Sequence, residues 1–298
     1  MRSEDEMMRL ILEFAEEREE ILAVWMNGSR ANPSAPPDRY QDFDIVFVVE
    51  NTIDFQKDKS WIPRFGEIAV MQEPDQSVLF PGGETEKRYA CLIQFTDGNR
   101  IDASFVRKDR ALEMVREDTE TVILLDKTGL LPELLPASDR MYWVKKPSQA
   151  EFEACCNEFW WTAPYVAKAL CREEIIFALQ LADRAVREEL LRMLGWMAGF
   201  RQDFMISVGK GNKYLMKYLT EQEQAALLKT YSRADIKEAW EALWQMCGFF
   251  AQISSEAAKQ MGFSVNLKEE KGSLAYIRKL FTEQEDFPCG VDFETGPC

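Results

Sequence analysis

The spacing of apolar residues changes character along the chain: short strand-like runs come first, and long repeats at helical spacing follow. Near the start, Ser3-Glu4-Asp5-Glu6 has the capping-box spacing, and Met7, Met8, Ile11, Phe14 and Ala15 then recur at helical intervals, which predicts an opening helix. Residues 21–26 read as a short buried strand, ended by the turn residues Asn27-Gly28-Ser29. Three prolines between 32 and 37 impose an irregular loop. Asp44 then opens the strongest strand signal in the sequence, a β-branched and aromatic run that continues to Val49. The apolar runs 89–95 and 100–105 flank Thr96-Asp97-Gly98-Asn99, whose Asp-Gly predicts an antiparallel hairpin. Residues 122–125 can add a short further element.

Pro132, Pro136 and Pro147 punctuate a connecting stretch, which puts a domain boundary near Lys146. Beyond it the period is helical over 151–170, 172–198, 220–230 and 234–262, so the second half should be a helical bundle. The polar, glycine- and proline-bearing residues 283–298 should fray, and no internal repeat is visible. The expected fold is α+β: a mixed sheet with flanking helices over 1–146, a C-terminal helical bundle over 147–282, and a tail.

Composition narrows what such a chain can do. At 298 residues and 46% hydrophobic, it is long enough for two separate cores. No run of about 18 apolar residues could cross a bilayer, and the first ten residues are too charged for a signal peptide. Seven cysteines without CxxC spacing read as reduced thiols, which points to the cytoplasm. A formal charge of −15 opposes nucleic acid and favours a cationic small ligand, although an acidic surface can equally serve solubility. Histidine is absent, which removes Ser-His-Asp triads, Cys-His dyads and histidine-ligated zinc. Carboxylates, lysine, tyrosine or a metal must carry any chemistry.

One spaced constellation meets that requirement. Asp42 and Asp44 enter a strand on the same face, about 7 Å apart at their Cα atoms, while Phe43 and Ile45 point to the opposite face. Asp102, between Ile101 and Ala103, repeats the arrangement on a later strand. Three converging carboxylates repel one another unless neutralised, and oxygen ligands suit magnesium. Gly28 and Ser29 form a turn able to bring backbone N–H groups and a hydroxyl against phosphate oxygens, and Arg30 could add charge-assisted bonds. Gly-Ser alone is usually a turn, and Asp-x-Asp alone a solvated strand entrance. Their conjunction with an isolated aspartate in an apolar strand is what singles them out.

This pattern resembles the polymerase-beta-type nucleotidyltransferase superfamily, whose signature is hydrophobic-Gly-Ser, a spacer, Asp-hydrophobic-Asp and a later single carboxylate. More narrowly it is similar to the aminoglycoside 6-adenylyltransferases, the streptomycin-modifying resistance enzymes. The similarity runs through MRSEDEMM, GSRAN, QDFDI, KKPS, CCNEFW, PYVAKALCR, ELLRM and SVGK, nearly the whole chain. The resemblance implies an N-terminal nucleotidyltransferase domain and transfer of AMP from ATP to an aminoglycoside hydroxyl with release of pyrophosphate. It further implies that Asp42 and Asp44 bind magnesium, two ions being expected. Asp102 would bind the second ion or act as general base, and Gly28, Ser29 and Arg30 would hold phosphates.

In the helical half, Lys210 and Lys213 in Ser207-Val208-Gly209-Lys210-Gly211-Asn212-Lys213 can reach ATP phosphates, or belong to an ordinary interhelical loop. Lys168 and Arg172 are a weaker phosphate candidate, since an i, i+4 pair beside Glu173 and Glu174 is commonly a surface ion-pair face. Glu158 and Trp196 are candidates for a cationic drug, against the readings of a surface acid and a core indole. The expected partners are ATP and a cationic aminoglycoside, with no nucleic acid and no membrane, and a monomer is favoured. Two alternatives stay open: a nucleotidyltransferase acting on a lincosamide or a protein, and a module that senses nucleotide without turnover.

Overall fold

The computed structural model describes residues 1–79 and 87–284, and the expected frayed tail falls, from residue 285 on, outside the described residues. The chain divides into two compact units, one of Met1–Met141 and one beginning at Tyr142. This point lies a few residues before Lys146, because the connecting segment is already tied to the second unit: Val144 donates its N–H to the carbonyl of Ile206 at 2.8 Å.

The first unit is a six-stranded mixed sheet. Helix α1 (Glu4–Glu16) starts as its sequence dictates: Glu6 donates its N–H to Ser3 Oγ at 3.2 Å, and Ser3 donates its own to the Glu6 carboxylate at 2.7 Å. Strands β1 (Ile21–Asn27) and β2 (Phe43–Val49) follow, then helix α2 (Thr52–Lys57) and strand β3 (Ile68–Gln72). Strands β4 (Arg88–Phe95) and β5 (Arg100–Arg107) form the antiparallel hairpin expected around Asp97-Gly98. Helix α3 (Lys108–Met114) and strand β6 (Thr121–Asp126) complete the unit.

Spatial order is β3-β4-β5-β2-β1-β6, and β2 and β5 are parallel while every other neighbouring pair is antiparallel. Alternation along β2 sends Phe43, Ile45 and Phe47 into the core on one face, where Phe14 of α1 meets Phe47 edge to face at 5.4 Å. On the opposite face Val46 and Val48 pack with Trp25, Val106 and Ala111. Burial on both faces explains why β2 reads as nearly continuous hydrophobic sequence.

The second unit is helical. Helix α4 (Gln149–Cys171) opens with a Ser148–Glu151 capping box, and α7 (Glu221–Leu228) with one from Thr220 and Glu223. The segment expected as one helix over 172–198 begins later, because Glu173 adopts φ 58° after α4. It then runs as α5 (Ile175–Leu181), a π-helical turn (Ala182–Val186) and α6 (Arg187–Arg201). Helix α8 (Ile236–Met261) ends at Gly262 in the left-handed conformation. Its Phe250 stacks on Phe159 of α4 with centroids 3.7 Å apart. A last helix, α9 (Leu267–Thr282), lies beyond the periodicity that ended at 262. It is polar for most of its length and buries chiefly Ser273, Ile277 and Phe281. Cys91, Cys155, Cys156, Cys171 and Cys247 are free thiols, and no described helix is long and apolar enough to cross a membrane.

Candidate active site

The site grows from the ends of three adjacent strands. Strand β1 stops at Asn27, and the chain turns through Gly28 at φ +75°, a left-handed conformation that a side chain disfavours. Space makes the same demand: a Cβ on Gly28 would collide with Oδ2 of Asp44 and lie 3.2 Å from its Cγ. The turn is pinned by the Gly28 N–H donating to Glu120 O at 3.1 Å, and by the Gly28 carbonyl accepting from Ala31 and Asn32. Asn32 extends the brace, donating from Nδ2 to Glu120 at 2.6 Å and accepting the Ser34 N–H at 2.7 Å. The proline loop after it is therefore irregular yet anchored.

Register then brings the acids together. Asn27 sits opposite Asp44 across the β1–β2 pair, and Asp44 opposite Asp102 across the parallel β2–β5 pair. Adjacent strands run about 4.8 Å apart, so Asp44 and Asp102 share a face as near neighbours. Asp42 precedes β2, half exposed, with Phe43 and Ile45 fully buried beneath as the alternation demanded.

A residue that sequence reasoning passed over controls two of these acids. Arg100, two positions before Asp102 on the same strand face, donates from Nε and Nη2 to the Asp102 carboxylate at 2.7 and 2.9 Å. Its Nε also lies 3.5 Å from Asp42 Oδ2. The Asp102 carboxylate accordingly raises the Arg100 pKa above its ordinary value. Burial pushes the Asp42 carboxyl upward, and the Asp102 charge adds to this against the lowering effects of Arg100 and Arg30. The i, i+2 spacing on a strand was the available signal, since it places Arg100 beside Asp102 as surely as it places Asp42 beside Asp44.

Arg30 is held by groups of the fold itself. Its side chain is only 6% exposed, held by Glu4 at 2.9 Å and the Gln41 carbonyl at 2.8 Å, with the guanidinium 3.9 Å over the Phe43 ring. With these partners it braces the loop that follows Ser29. Ser29 follows Gly28 in the turn, its carbonyl accepting from Gln41 Nε2 at 3.1 Å.

Among the described residues, no three acidic or cysteine side chains are gathered as a ready-made metal-holding group. Arg100 offsets the charge of Asp102 by two hydrogen bonds and that of Asp42 by a longer ion pair. The donor chemistry nevertheless fits a hard divalent cation: Asp42, Asp44 and Asp102 offer only oxygen, and the adjoining Asn27 Oδ1 is buried with no hydrogen-bond partner.

In the helical unit the remaining candidates are dispersed. Glu158 is exposed on α4, and Trp196 is half buried against the helical core. Lys210 and Lys213 are exposed on a turn whose Gly209 and Gly211 have φ 73° and 63°. Tyr214 beneath that turn carries the Lys213 ammonium 4.9 Å from its ring centroid. The Lys168 ammonium lies over the rings of Tyr165 and Tyr276.

A mixed sheet that sets a glycine turn against in-register aspartates is the frame of a nucleotidyltransferase, and comparison with known proteins narrows the class. The chain belongs to the streptomycin adenylyltransferase family, whose family model matches residues 1–280. It is 38% identical over 279 residues to an aminoglycoside 6-adenylyltransferase of Campylobacter jejuni, covering 94% of this chain and 96% of that one. A Bacillus subtilis protein of the same name is 36% identical over 264 residues, with 88% and 93% covered. A solved aminoglycoside 6-adenyltransferase from Bacillus subtilis aligns at 31% identity over 94% of this chain and 99% of its own, with a TM-score of 0.47.

Proposed function

We propose that this protein transfers AMP from ATP to a hydroxyl of an aminoglycoside of the streptomycin type, releasing pyrophosphate and inactivating the drug in the cytoplasm. Family membership supports the reaction, and one structural observation carries the assignment of the site: Asp44 and Asp102 are register partners on parallel strands, with Gly28 in contact distance of Asp44.

The chain's own residues divide the work. Gly28 and Ser29 bring backbone close to the triphosphate, and the missing Cβ at Gly28 is what lets Asp44 stand beside that turn. Asp42 and Asp44, with Asp102, would hold magnesium, which when bound supplies charge stabilisation to the phosphoryl oxygens. Asp102 accepts the proton of the attacking hydroxyl, since the sequence offers no histidine for that part. Before it can do so its bidentate bond to Arg100 must open, and the freed guanidinium is then a cation available to phosphate oxygens. Lys210 and Lys213 are exposed cations available to ATP, and Glu158 offers a carboxylate and Trp196 an indole to the cationic acceptor. The acidic balance of the chain suits that acceptor.

The test is direct: incubate the protein with ATP, magnesium and streptomycin and weigh the drug by mass spectrometry. A gain of one AMP is the expected result. No gain with any aminoglycoside, alongside measurable ATP binding, would favour the nucleotide-sensing alternative.

A further inference from the structure

Helices α4 and α9 enclose a cleft of about 320 Å³ in the helical unit, within the size range of small-molecule sites. Its walls are aromatic. Trp160 is buried at the base, but Trp161, Tyr165 and Tyr276 are 63%, 42% and 41% exposed, a concentration of large rings that helix packing leaves in solvent.

Two features of α9 are unexplained by packing. Gly272 occupies the helix interior, where glycine is less favourable than alanine. A Cβ there would meet nothing within 4 Å, so no neighbour requires its absence. What its absence does is keep the cleft open, since Gly272 lines it. Next to it Ser273 is more than nine-tenths buried, lines the same cleft, and has an Oγ without any hydrogen-bond partner. On the facing helix Pro164 has no N–H to give to the carbonyl of Trp160, which removes a helical hydrogen bond beside the same opening.

Charge decides the class of ligand. The Lys168 ammonium already lies 5.0 Å from the Tyr165 centroid and 5.4 Å from that of Tyr276, so the cation-attracting ring faces have an occupant and a polycation is opposed. Glu269 on the other helix opposes an anion. Remaining are apolar ring faces beside donors and acceptors: the Ser273 hydroxyl and the Asn157 amide, which do both, the Lys168 ammonium, which donates, and the Glu269 carboxylate, which accepts. A neutral sugar ring, apolar on its C–H faces and edged with hydroxyls, has the matching chemistry.

We infer that the cleft between α4 and α9 is a binding site for a neutral glycosyl ring, stacked on the exposed aromatic side chains and hydrogen-bonded to Ser273. The inference does not rest on the transfer reaction. It is tested on the full-length protein by ligand-observed NMR with methyl α-glucopyranoside, with benzoate and streptomycin as the anionic and polycationic arms. The wild type should show saturable binding of the neutral glycoside in the millimolar range. Gly272→Leu, which fills the opening with a good helix former, should weaken it at least tenfold without lowering Tm. Tyr276→Ala should weaken it similarly, and Asp44→Asn should leave it unchanged. Absence of saturable glycoside binding, equal binding by Gly272→Leu, loss with Asp44→Asn, or binding confined to benzoate or streptomycin would each overturn the inference.

Discussion

The strand unit and the helical unit place charged groups in opposite ways. In the first, backbone register dictates which side chains meet: Asn27, Asp44 and Asp102 are consecutive neighbours across three hydrogen-bonded strands, and their positions follow from the ladder. In the second, the best-held charges serve the fold. Arg201 donates to both oxygens of Glu223 at 2.8 and 2.6 Å, and Glu223 also closes the cap of α7. Arg187 is buried, bonded to the Thr230 carbonyl at 2.8 Å, and lies over Tyr231. Lys210, Lys213 and Glu158 are left exposed. Strand register sets Asp44 beside Asp102, with Arg100 on the same face to offset their repulsion; a helix surface offers side chains that each find their own partner.

That contrast can be broken by substitution. Asp44→Asn removes a carboxylate whose position the register fixes, so AMP transfer should fall about 10³-fold, roughly 4 kcal/mol, with circular dichroism unchanged. Retained turnover would remove Asp44 from the machinery. Gly28→Ala introduces both a collision with Asp44 and a strained φ; a loss of roughly 100-fold in kcat is expected, with a lower Tm. In the helical unit, Glu223→Ala should destabilise by about 2–3 kcal/mol in chemical denaturation, since it leaves Arg201 only the longer 3.7 Å pair with Glu256 and removes the Glu223 half of the α7 capping box.

Acid should expose the same bond more gently. Burial alone would raise the Glu223 carboxyl, but the Arg201 hydrogen bonds and the Thr220 N–H outweigh it and hold it below the ordinary carboxylate range. A depressed acid stabilises the fold above its unfolded value near 4.5, and that contribution drains away as pH falls through the folded value. Denaturation midpoints should therefore lose less between neutral and acid pH in Glu223→Gln than in the wild type. The smallest effect is expected for Lys213→Met, a two- to fivefold rise in KM for ATP, under about 1 kcal/mol. A collapse of kcat there would mean the exposed turn is part of the chemistry and would erase the contrast between the units.

Much of this was legible in the residues. The capping box at Ser3 and Glu6, the Asp97-Gly98 hairpin and the Gly28-Ser29 turn are local matters of dihedral preference and short-range hydrogen bonding, and they form as read. So is the alternation that buries Phe43 and Ile45 while leaving Asp42 and Asp44 only partly buried. Helix α9 escaped because its first half is almost wholly polar after Leu267 and its stability comes from the tertiary face that its second half covers.

What the sequence by itself determined is the inventory and the local phase: three aspartates without a histidine, a glycine turn, and the faces of the strands. The tertiary structure decided which of them meet. Parallel pairing of β2 with β5 is a contact between segments far apart in the chain, and only that pairing sets Asp44 beside Asp102. Glu4 and Gln41 hold Arg30 at the loop, while Arg100 closes on Asp102 with Asp42 3.5 Å away. The physical reason is common to both arginines: a guanidinium on a long stem can reach several acceptors, and only the assembled fold says which acceptor is close enough to hold it.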